Sequence, residues 1–341
     1  MFINEDPAIG INGFGRIGRC ILRTCLNRGI PIKAINADRT PEALAYLLEL
    51  DSVHRRYEAD IHIAKDSIVI NGQKIQITRY RDPSQIPWKE NGVDYVVEST
   101  GRFCSYEDAS MHLAGGAKKV VISAPPKGER KVPTFVMGVN HLSYTPNMDI
   151  VSNASCTTNC LAPLAKVIHN NFGIESGAIL TVHAATSKEN MVDGFDKKDP
   201  RIARSAYENI IPSTTGAARA IGSVIPELVG KLDGLSARIP LPNGSLLNLF
   251  VNLNTPTSFD QLCETIQYHS ENNMKGIIAY SSSKFGLVSS DILGDSHTCI
   301  FDPMASMQIT PRVFLLSAFY DNEWGFSNKL VDLILHMHSV E

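Results

Sequence analysis

Residues 8–29 read AIGINGFGRIGRCILRTCLNRG. Ala8–Asn12 is an apolar run short enough for a buried strand, and Arg16–Asn27 has helical spacing, with Ile17, Ile21 and Leu22 on one side. Gly29 is placed to stop that helix. Between strand and helix, Gly13-Phe14-Gly15-Arg16-Ile17-Gly18 is G-x-G-x-x-G. Alone the spacing is weak, because glycine is common and an ordinary strand–helix turn also uses it. Its place after a strand and before a helix is the context that a dinucleotide-binding loop requires. In such a loop Gly13 makes the tight turn, Gly15 lets a pyrophosphate approach the backbone, and Gly18 lets the helix pack close to the strand. The helix start adds N–H groups and a partial positive charge for the phosphates. Asp38, about 20 residues beyond Gly18, ends the next apolar run, where a carboxylate accepts the adenosine ribose hydroxyls. Its neighbour Arg39 would instead attract a 2′-phosphate, so these residues leave NAD and NADP both open.

Working outward, Ile32–Asn36 reads as a second strand and Thr40–Leu50 as a second helix, with Pro41 near its start. Ile61–Ile63, Ser67–Ile70 and Lys74–Arg79 look like an antiparallel meander turned at Asn71-Gly72. Tyr95–Val97, Val120–Ser123 and Thr134–Val136 add short buried strands. Short apolar strands alternating with helices imply a parallel sheet covered on both faces. The second half changes character. A helical pattern, Asn159–Asn171, leads to the strand Ala178–His183, and a polar stretch runs from Ala184 to Pro212. Leu235–Ile239, Leu246–Asn252 and Val313–Tyr320 are longer and alternating. Gly325–His338 is strongly amphipathic. The expected fold class is α/β: a Rossmann-type dinucleotide-binding domain plus an α+β catalytic domain with a mostly antiparallel sheet. Two domains suit 341 residues, divided as 1–155 and 156–320.

Composition narrows the function classes. Hydrophobic residues are 43% and charged residues 20%, as in a soluble globular chain. The net charge is −3 with no dense basic run, so nucleic acid is not indicated as a partner. No apolar run is long enough for a membrane helix. The first residues, MFINEDPAIG, lack the features of a signal peptide, and the seven cysteines are odd in number and scattered. A cytoplasmic location with free thiols is expected. The chain has no C-x-x-C and no H-E-x-x-H, so no metal site is expected.

SNASCTTNC, residues 152–160, stands out within this background. Cys156 lies close to a helix start, where the dipole and N–H groups favour thiolate over thiol, and the thiolate is the nucleophile. Cys160, four residues on, shares its helix face and reads as packing. A small buried hydrophobe is the plain reading of any single cysteine. Polar surroundings and the helix start set Cys156 apart from the other six. A base is also needed, and His183 is the best placed of ten histidines, at the end of the strand AILTVH.

Taken together, seven stretches resemble phosphorylating glyceraldehyde-3-phosphate dehydrogenase over nearly the whole chain. They are INGFGRIGR (11–19), RDPSQIPW (81–88), VVESTGRF (96–103), GAKKVVISAP (116–125), SNASCTTNCLAP (152–163), IIPSTTGAARAIGSVIPELVGKLDGLSARIP (210–240) and YDNEWGFSNK (320–329). The resemblance implies oxidation of D-glyceraldehyde 3-phosphate to 1,3-bisphosphoglycerate through a thioester on Cys156, with His183 as base and NAD(P)+ as hydride acceptor. It implies an inorganic phosphate site at Ser155, Thr157, Thr215 and Gly216. It implies a substrate phosphate site at Thr186 and Arg238, with Arg204 in the loop lining it. On the cofactor side it adds Asn12, Arg16, Ile17, Arg81, Ser99, Ser123 and Asn322 to the three loop glycines and Asp38. A homotetramer is implied, as is a C-terminal helix within 321–341 that completes the first domain and sets Asn322 near the nicotinamide. Four residues depart from the family pattern: Ala37 where NAD-dependent members have Asp, Lys188 in HAATSK (183–188), Phe195 where Pro is frequent, and Phe326 where Tyr is common. Erythrose-4-phosphate dehydrogenase and a binding or regulatory member of the family are the alternatives. A cysteine hydrolase would not need the glycine loop.

Overall fold

In this computed structural model, strand β1 (Ile9–Asn12) enters the glycine loop and helix α1 (Arg16–Arg28) leaves it. The residues described are 6–197 and 199–341, and all structural statements concern these. Gly29 ends α1 at φ 72°, a left-handed conformation that costs glycine little because it lacks a Cβ. Next come β2 (Ile32–Asn36) and α2 (Pro41–Glu49), the latter capped by Thr40, whose side chain accepts the Ala43 N–H. The meander is β3 (Ile61–Ala64), β4 (Ser67–Ile70) and β5 (Gln73–Thr78). Asn71 and Gly72 stand at φ 49° and 81°, the signs that a two-residue hairpin turn requires. Then follow β6 (Tyr95–Glu98), α3 (Tyr106–Ala114), β7 (Lys119–Ile122) and β8 (Ile150–Ser152).

These strands form one sheet in the order β3-β4-β5-β2-β1-β6-β7-β8. Pairing is antiparallel within the meander and parallel from β5 to β8. Every residue of β1, β6, β7 and β8 is buried, as a sheet covered on both faces demands. The chain moves from β1 to β2 on one side and later to β6 on the other. The carboxyl ends of these strands therefore form a topological switch point, where open α/β sheets bind ligands. Thr134–Val136, expected as a strand, makes only a single bridge, Thr134 to Ser152. Pro133 has no N–H to extend a ladder, and the Asn140 side chain takes the Val136 N–H instead. The edge position belongs to β8.

A second unit begins with α4 (Cys156–Phe172), which starts one turn before the expected Asn159 because Ser155 caps it. Its other elements are β9 (Ile174–Ala184), β10 (Ile211–Thr214), α5 (Ala217–Ala220), β11 (Leu232–Ile239), β12 (Ser245–Leu253), α6 (Phe259–Glu271), β13 (Ile278–Tyr280), β14 (Cys299–Phe301), β15 (Met307–Gln308) and β16 (Val313–Tyr320). The sheet order is β10-β11-β9-β12-β16-β14-β13, with β15 also on β16. It is mostly antiparallel, but β9 pairs with β11, and β13 with β14, in parallel. α4 packs against β9, β12, β14 and β16 and is buried along most of its length.

The last helix, α7 (Trp324–Val340), starts in the second unit, where Asp321 Oδ1 accepts the N–H groups of Glu323 and Trp324 at 2.9 and 2.7 Å. From Ser327 onward it belongs to the first. There Leu330, Val331, Leu333 and Ile334 are fully buried. The units divide at 154/155 and 326/327, and 136–140 groups with the second. The last assignment follows from Lys166, whose Nζ donates to the carbonyls of Gly138 and Val139. Residues 321–326 stay with the second unit through bonds such as Asn243 Nδ2 to Asp321 Oδ1 at 2.8 Å.

Candidate active site

The glycine loop of the first unit shows what each glycine is for. A Cβ on Gly18 would lie 2.2 Å from the Gly13 carbonyl oxygen, so helix and strand could not approach as they do. Gly13 sits at φ 97°, and a Cβ there would meet Thr100 at 2.9 Å. Gly15 differs: a Cβ would meet nothing within 4 Å. The protein's own packing does not require that glycine. At the α1 cap it offers no side chain to the first N–H groups. Open space over uncapped N–H groups at a helix start fits a pyrophosphate.

Around the loop, Ser99 Oγ donates to the carbonyls of Asn12 and Gly13 at 3.0 and 2.9 Å. Ser123 N–H and Oγ donate to the Glu98 carbonyl at 3.0 and 2.9 Å. Asn12 is buried, and its Nδ2 donates to Glu98 Oε2 at 2.6 Å. His112 Nε2 meets the same oxygen at 3.0 Å, and Trp88 Nε1 donates to His112 Nδ1 at 3.1 Å. Trp Nε1 can only donate, so His112 carries its proton on Nε2 and gives it to Glu98. Sequence reading missed Glu98, His112 and Trp88, which fix the orientation of Asn12. Arg16 pairs with Asp51. Burial would raise the Asp51 carboxyl, but hydrogen bonds from Arg16, Val53 and His54 hold it down at about 2. Ile17 is half-buried. Beyond β2, Ala37 is buried and Asp38 is exposed, with Arg81 Nη2 at 3.7 Å from its carboxylate. Arg39 Nη1 donates to the Asp38 carbonyl at 2.6 Å. Asn12, the glycines, Ser99, Ser123 and Asp38 thus lie at or just beyond the carboxyl ends of the sheet strands, and the set fits a dinucleotide.

In the second unit, Cys156 is the first residue of α4 and is partly buried. Its Sγ lies 3.4 Å from His183 Nε2. β9 carries His183, and the parallel register of β9 with β11 sets Arg238 directly beside it. Burial first, and the Arg238 guanidinium second, push His183 down to about 4, so it is neutral at physiological pH. A neutral imidazole has one ring proton, and the neighbours offer it two places. On Nδ1 it donates to the Ala184 carbonyl at 2.7 Å, leaving the Nε2 lone pair toward sulfur. On Nε2 it becomes a donor to a thiolate, and Nδ1 accepts from Arg238 Nη1 at 2.5 Å. The two are tautomers of one neutral ring: the first presents a lone pair to the sulfur, as a base does, and the second presents an N–H. The expectation of a resting thiolate needs correction. Burial pushes the Cys156 thiol up, outweighing Arg238 and the Thr157 hydrogen bonds, which pull it down. The thiol is then the resting form, and a base within reach of it is needed to take its proton. Cys160 is wholly buried, consistent with packing.

The anion-binding candidates are dispersed in role. Ser155 Oγ accepts the Thr158 N–H at 3.0 Å, so it is the cap of α4. Thr157 is buried, with its hydroxyl 2.9 Å from Tyr320 OH. Thr215 Oγ1 accepts the Ala217 N–H at 3.2 Å, and Gly216 precedes α5. Thr186 hydrogen-bonds Glu189, which also pairs with Arg238. Arg204 is not brought to this group: it pairs with Asp193 at 2.9 Å and lines a cleft with Met191 and Tyr207. Asn322 Oδ1 accepts from Ser245 Oγ at 2.8 Å, and Ser245 Oγ accepts the Ala184 N–H at 3.0 Å. That chain of bonds reaches the residue after His183. Lys188 and Phe195 are exposed, and Phe326 is buried. Sequence reading missed Tyr320, whose ring stands edge-on to His183 at 6.0 Å, and Glu189. The only signal for Glu189 was a carboxylate three residues after Thr186.

Two family models match the chain. One, described as glyceraldehyde 3-phosphate dehydrogenase, NAD binding domain, matches residues 7–106. The other, the C-terminal domain of the same enzyme family, matches residues 155–322. A cytosolic glyceraldehyde-3-phosphate dehydrogenase of Gracilaria gracilis is 48% identical over 337 residues, 98% of this chain and 99% of that one. Glyceraldehyde-3-phosphate dehydrogenase 2 of Danio rerio is 48% identical over 339 residues, 99% of this chain and 100% of its own. A chloroplastic glyceraldehyde-3-phosphate dehydrogenase of Arabidopsis thaliana is 49% identical over 333 residues, 96% of this chain and 78% of its own. No helix among the described residues is long and apolar enough to cross a membrane.

Proposed function

The chain belongs to the glyceraldehyde-3-phosphate dehydrogenase family, and from that premise we propose that Cys156, His183 and Arg238 carry the family's reaction here. The substrate is D-glyceraldehyde 3-phosphate, and the product is 1,3-bisphosphoglycerate. The observation that carries the reading is Cys156 at the start of α4 with its sulfur 3.4 Å from His183 Nε2. His183 takes the thiol proton, the sulfur attacks the aldehyde carbon, and His183 gives the proton back to the former carbonyl oxygen, which makes a hemithioacetal and restores the neutral base. His183 then takes the hydroxyl proton as the carbon loses hydride, which leaves a thioester on Cys156. Bound NAD+ supplies the two-electron acceptor for that hydride. Inorganic phosphate attacks the thioester carbon, the C–S bond breaks, and the acyl phosphate departs. Arg238 places positive charge beside these anions.

The first unit is the NAD-binding domain in this reading. The glycine loop would hold the pyrophosphate, and Asp38 the adenosine ribose, with Asn12, Arg16, Ile17, Arg81, Ser99, Ser123 and Asn322 as further cofactor residues. Thr186 and Arg238 serve the substrate phosphate, and Ser155, Thr157, Thr215 and Gly216 serve inorganic phosphate, in the case of Thr157 through its backbone because its hydroxyl is occupied. Arg204 serves the pocket only after leaving Asp193. A cytoplasmic location, supported by the relatives named cytosolic, and a homotetramer, which rests on the family resemblance alone, complete the proposal.

The test is reduction of NAD+ by glyceraldehyde 3-phosphate in the presence of inorganic phosphate or arsenate. Reduced nicotinamide should form with both, and Cys156→Ser should abolish it while Cys160→Ser retains most of it. No reduction in the complete mixture overturns the reading. Faster turnover of erythrose 4-phosphate would reassign the substrate.

A further inference from the structure

In the second unit, the donors assigned to the substrate phosphate already hold an anion of the chain's own. Glu189 Oε2 accepts the Thr186 backbone N–H at 2.7 Å and the Thr186 hydroxyl at 2.8 Å. Its other oxygen, Oε1, lies 3.4 Å from Arg238 Nε. The turn returns Glu189 onto Thr186, since the Glu189 N–H donates to the Thr186 carbonyl at 3.2 Å. The Glu189 side chain is only 8% exposed and that of Arg238 20%. A backbone N–H, a hydroxyl and a guanidinium are the donors that a phosphate dianion takes. Here one carboxylate takes all three.

We propose that Glu189 is a specificity-determining residue: it occupies the phosphate subsite at Thr186 and Arg238 and must leave when a phosphorylated aldehyde binds. The inference rests on the assignment of Thr186 and Arg238 made above. A carboxylate and a phosphate dianion cannot share these donors, and their like charges repel strongly in a site so little exposed to water. Glu189 therefore weakens binding of the phosphorylated substrate. It leaves the unphosphorylated aldehyde almost untouched, because that molecule needs only Cys156 and His183 at its reacting carbon. The residue sets how far the chain prefers one over the other.

Glu189→Gln keeps the shape and one acceptor oxygen and removes the charge. Binding of glycerol 3-phosphate, a phosphate monoester with no aldehyde, is measured by calorimetry on the full chain. It should tighten about tenfold in the variant, the scale of one removed like-charge contact. In steady state, kcat/KM for glyceraldehyde 3-phosphate relative to glyceraldehyde should rise by about the same factor through KM. Glu189→Ala should move both in the same direction, and decides the matter if the Gln variant does not fold. Unchanged or weaker glycerol 3-phosphate binding in a folded variant overturns the proposal, since a residue that merely braces the turn gives that result. Tighter binding with no turnover in the parent chain would sink the proposed reaction and leave Glu189 in its role. Turnover in the parent with unchanged binding in the variant would do the reverse.

Discussion

The surroundings of His183 keep it neutral, as the base in the proposed reaction has to be. Burial and the Arg238 cation both oppose its protonation and bring it to about 4, against an ordinary 6.5. Between those two values the folded chain binds fewer protons at this residue than the unfolded chain. Stability from His183 is therefore full above about 6.5, the unfolded value, and is lost as pH falls toward 4. A ring-proton titration by NMR should place the His183 midpoint near 4, and Arg238→Leu should move it upward. A midpoint that stays put in that variant would mean that burial alone sets it. Burial, against the pull of Arg238, also accounts for the resting thiol. Cys156 is raised by burial, so a neutral acceptor at 3.4 Å is the useful partner. An imidazolium could not take its proton.

At the scale of the element, the strand–loop–helix of residues 9–28 separates two needs that one motif name conceals. Gly18 serves packing, because its Cβ would collide with the Gly13 carbonyl at 2.2 Å. Gly15 is not needed for packing, because a Cβ there would meet nothing within 4 Å, and in the proposed reading it serves the ligand. Gly15→Ala should fold with an unchanged thermal midpoint, since its φ of −75° suits alanine. Its NAD affinity should drop by roughly a hundredfold, about the 2–3 kcal/mol of a displaced charge-assisted hydrogen bond. Gly18→Ala should lose stability first, by about 2 kcal/mol, as overpacked sites do. Calorimetric titration of NAD alongside thermal unfolding separates the two. Equal loss of stability in both variants would contradict the division of roles.

For the whole molecule, α7 shows how a distant part of the chain completes a unit. In the first unit Glu341 closes the helix against the sheet, accepting from Tyr95 OH at 2.7 Å and Tyr144 OH at 2.8 Å. Burial, and then Glu341 itself, push both phenols well above the ordinary tyrosine range. Glu341→Ala leaves two buried hydroxyls without their charged acceptor and should cost about 2 kcal/mol, read from the urea midpoint. A shift smaller than a few tenths of that would show the contact to be ornamental. The amphipathic pattern made this helix legible in the sequence, as period-2 and period-3.6 patterns did for most strands and helices. Thr134–Val136 was misread because an apolar run does not reveal whether a partner strand lies beside it. Likewise, sequence by itself determined the glycine loop between β1 and α1, the placement of Cys156 at a helix start and of His183 at a strand end. These depend on neighbours a few residues away, whose sterics and hydrogen bonds act within one turn or one strand. Only the tertiary structure decided that the β9–β11 register sets Arg238 against His183, that Tyr320 occupies the Thr157 hydroxyl, and that Glu189 holds Thr186 and Arg238 together. It also reversed the thiol's preference, because desolvation depends on the whole of what covers a group, and no local stretch of sequence carries that.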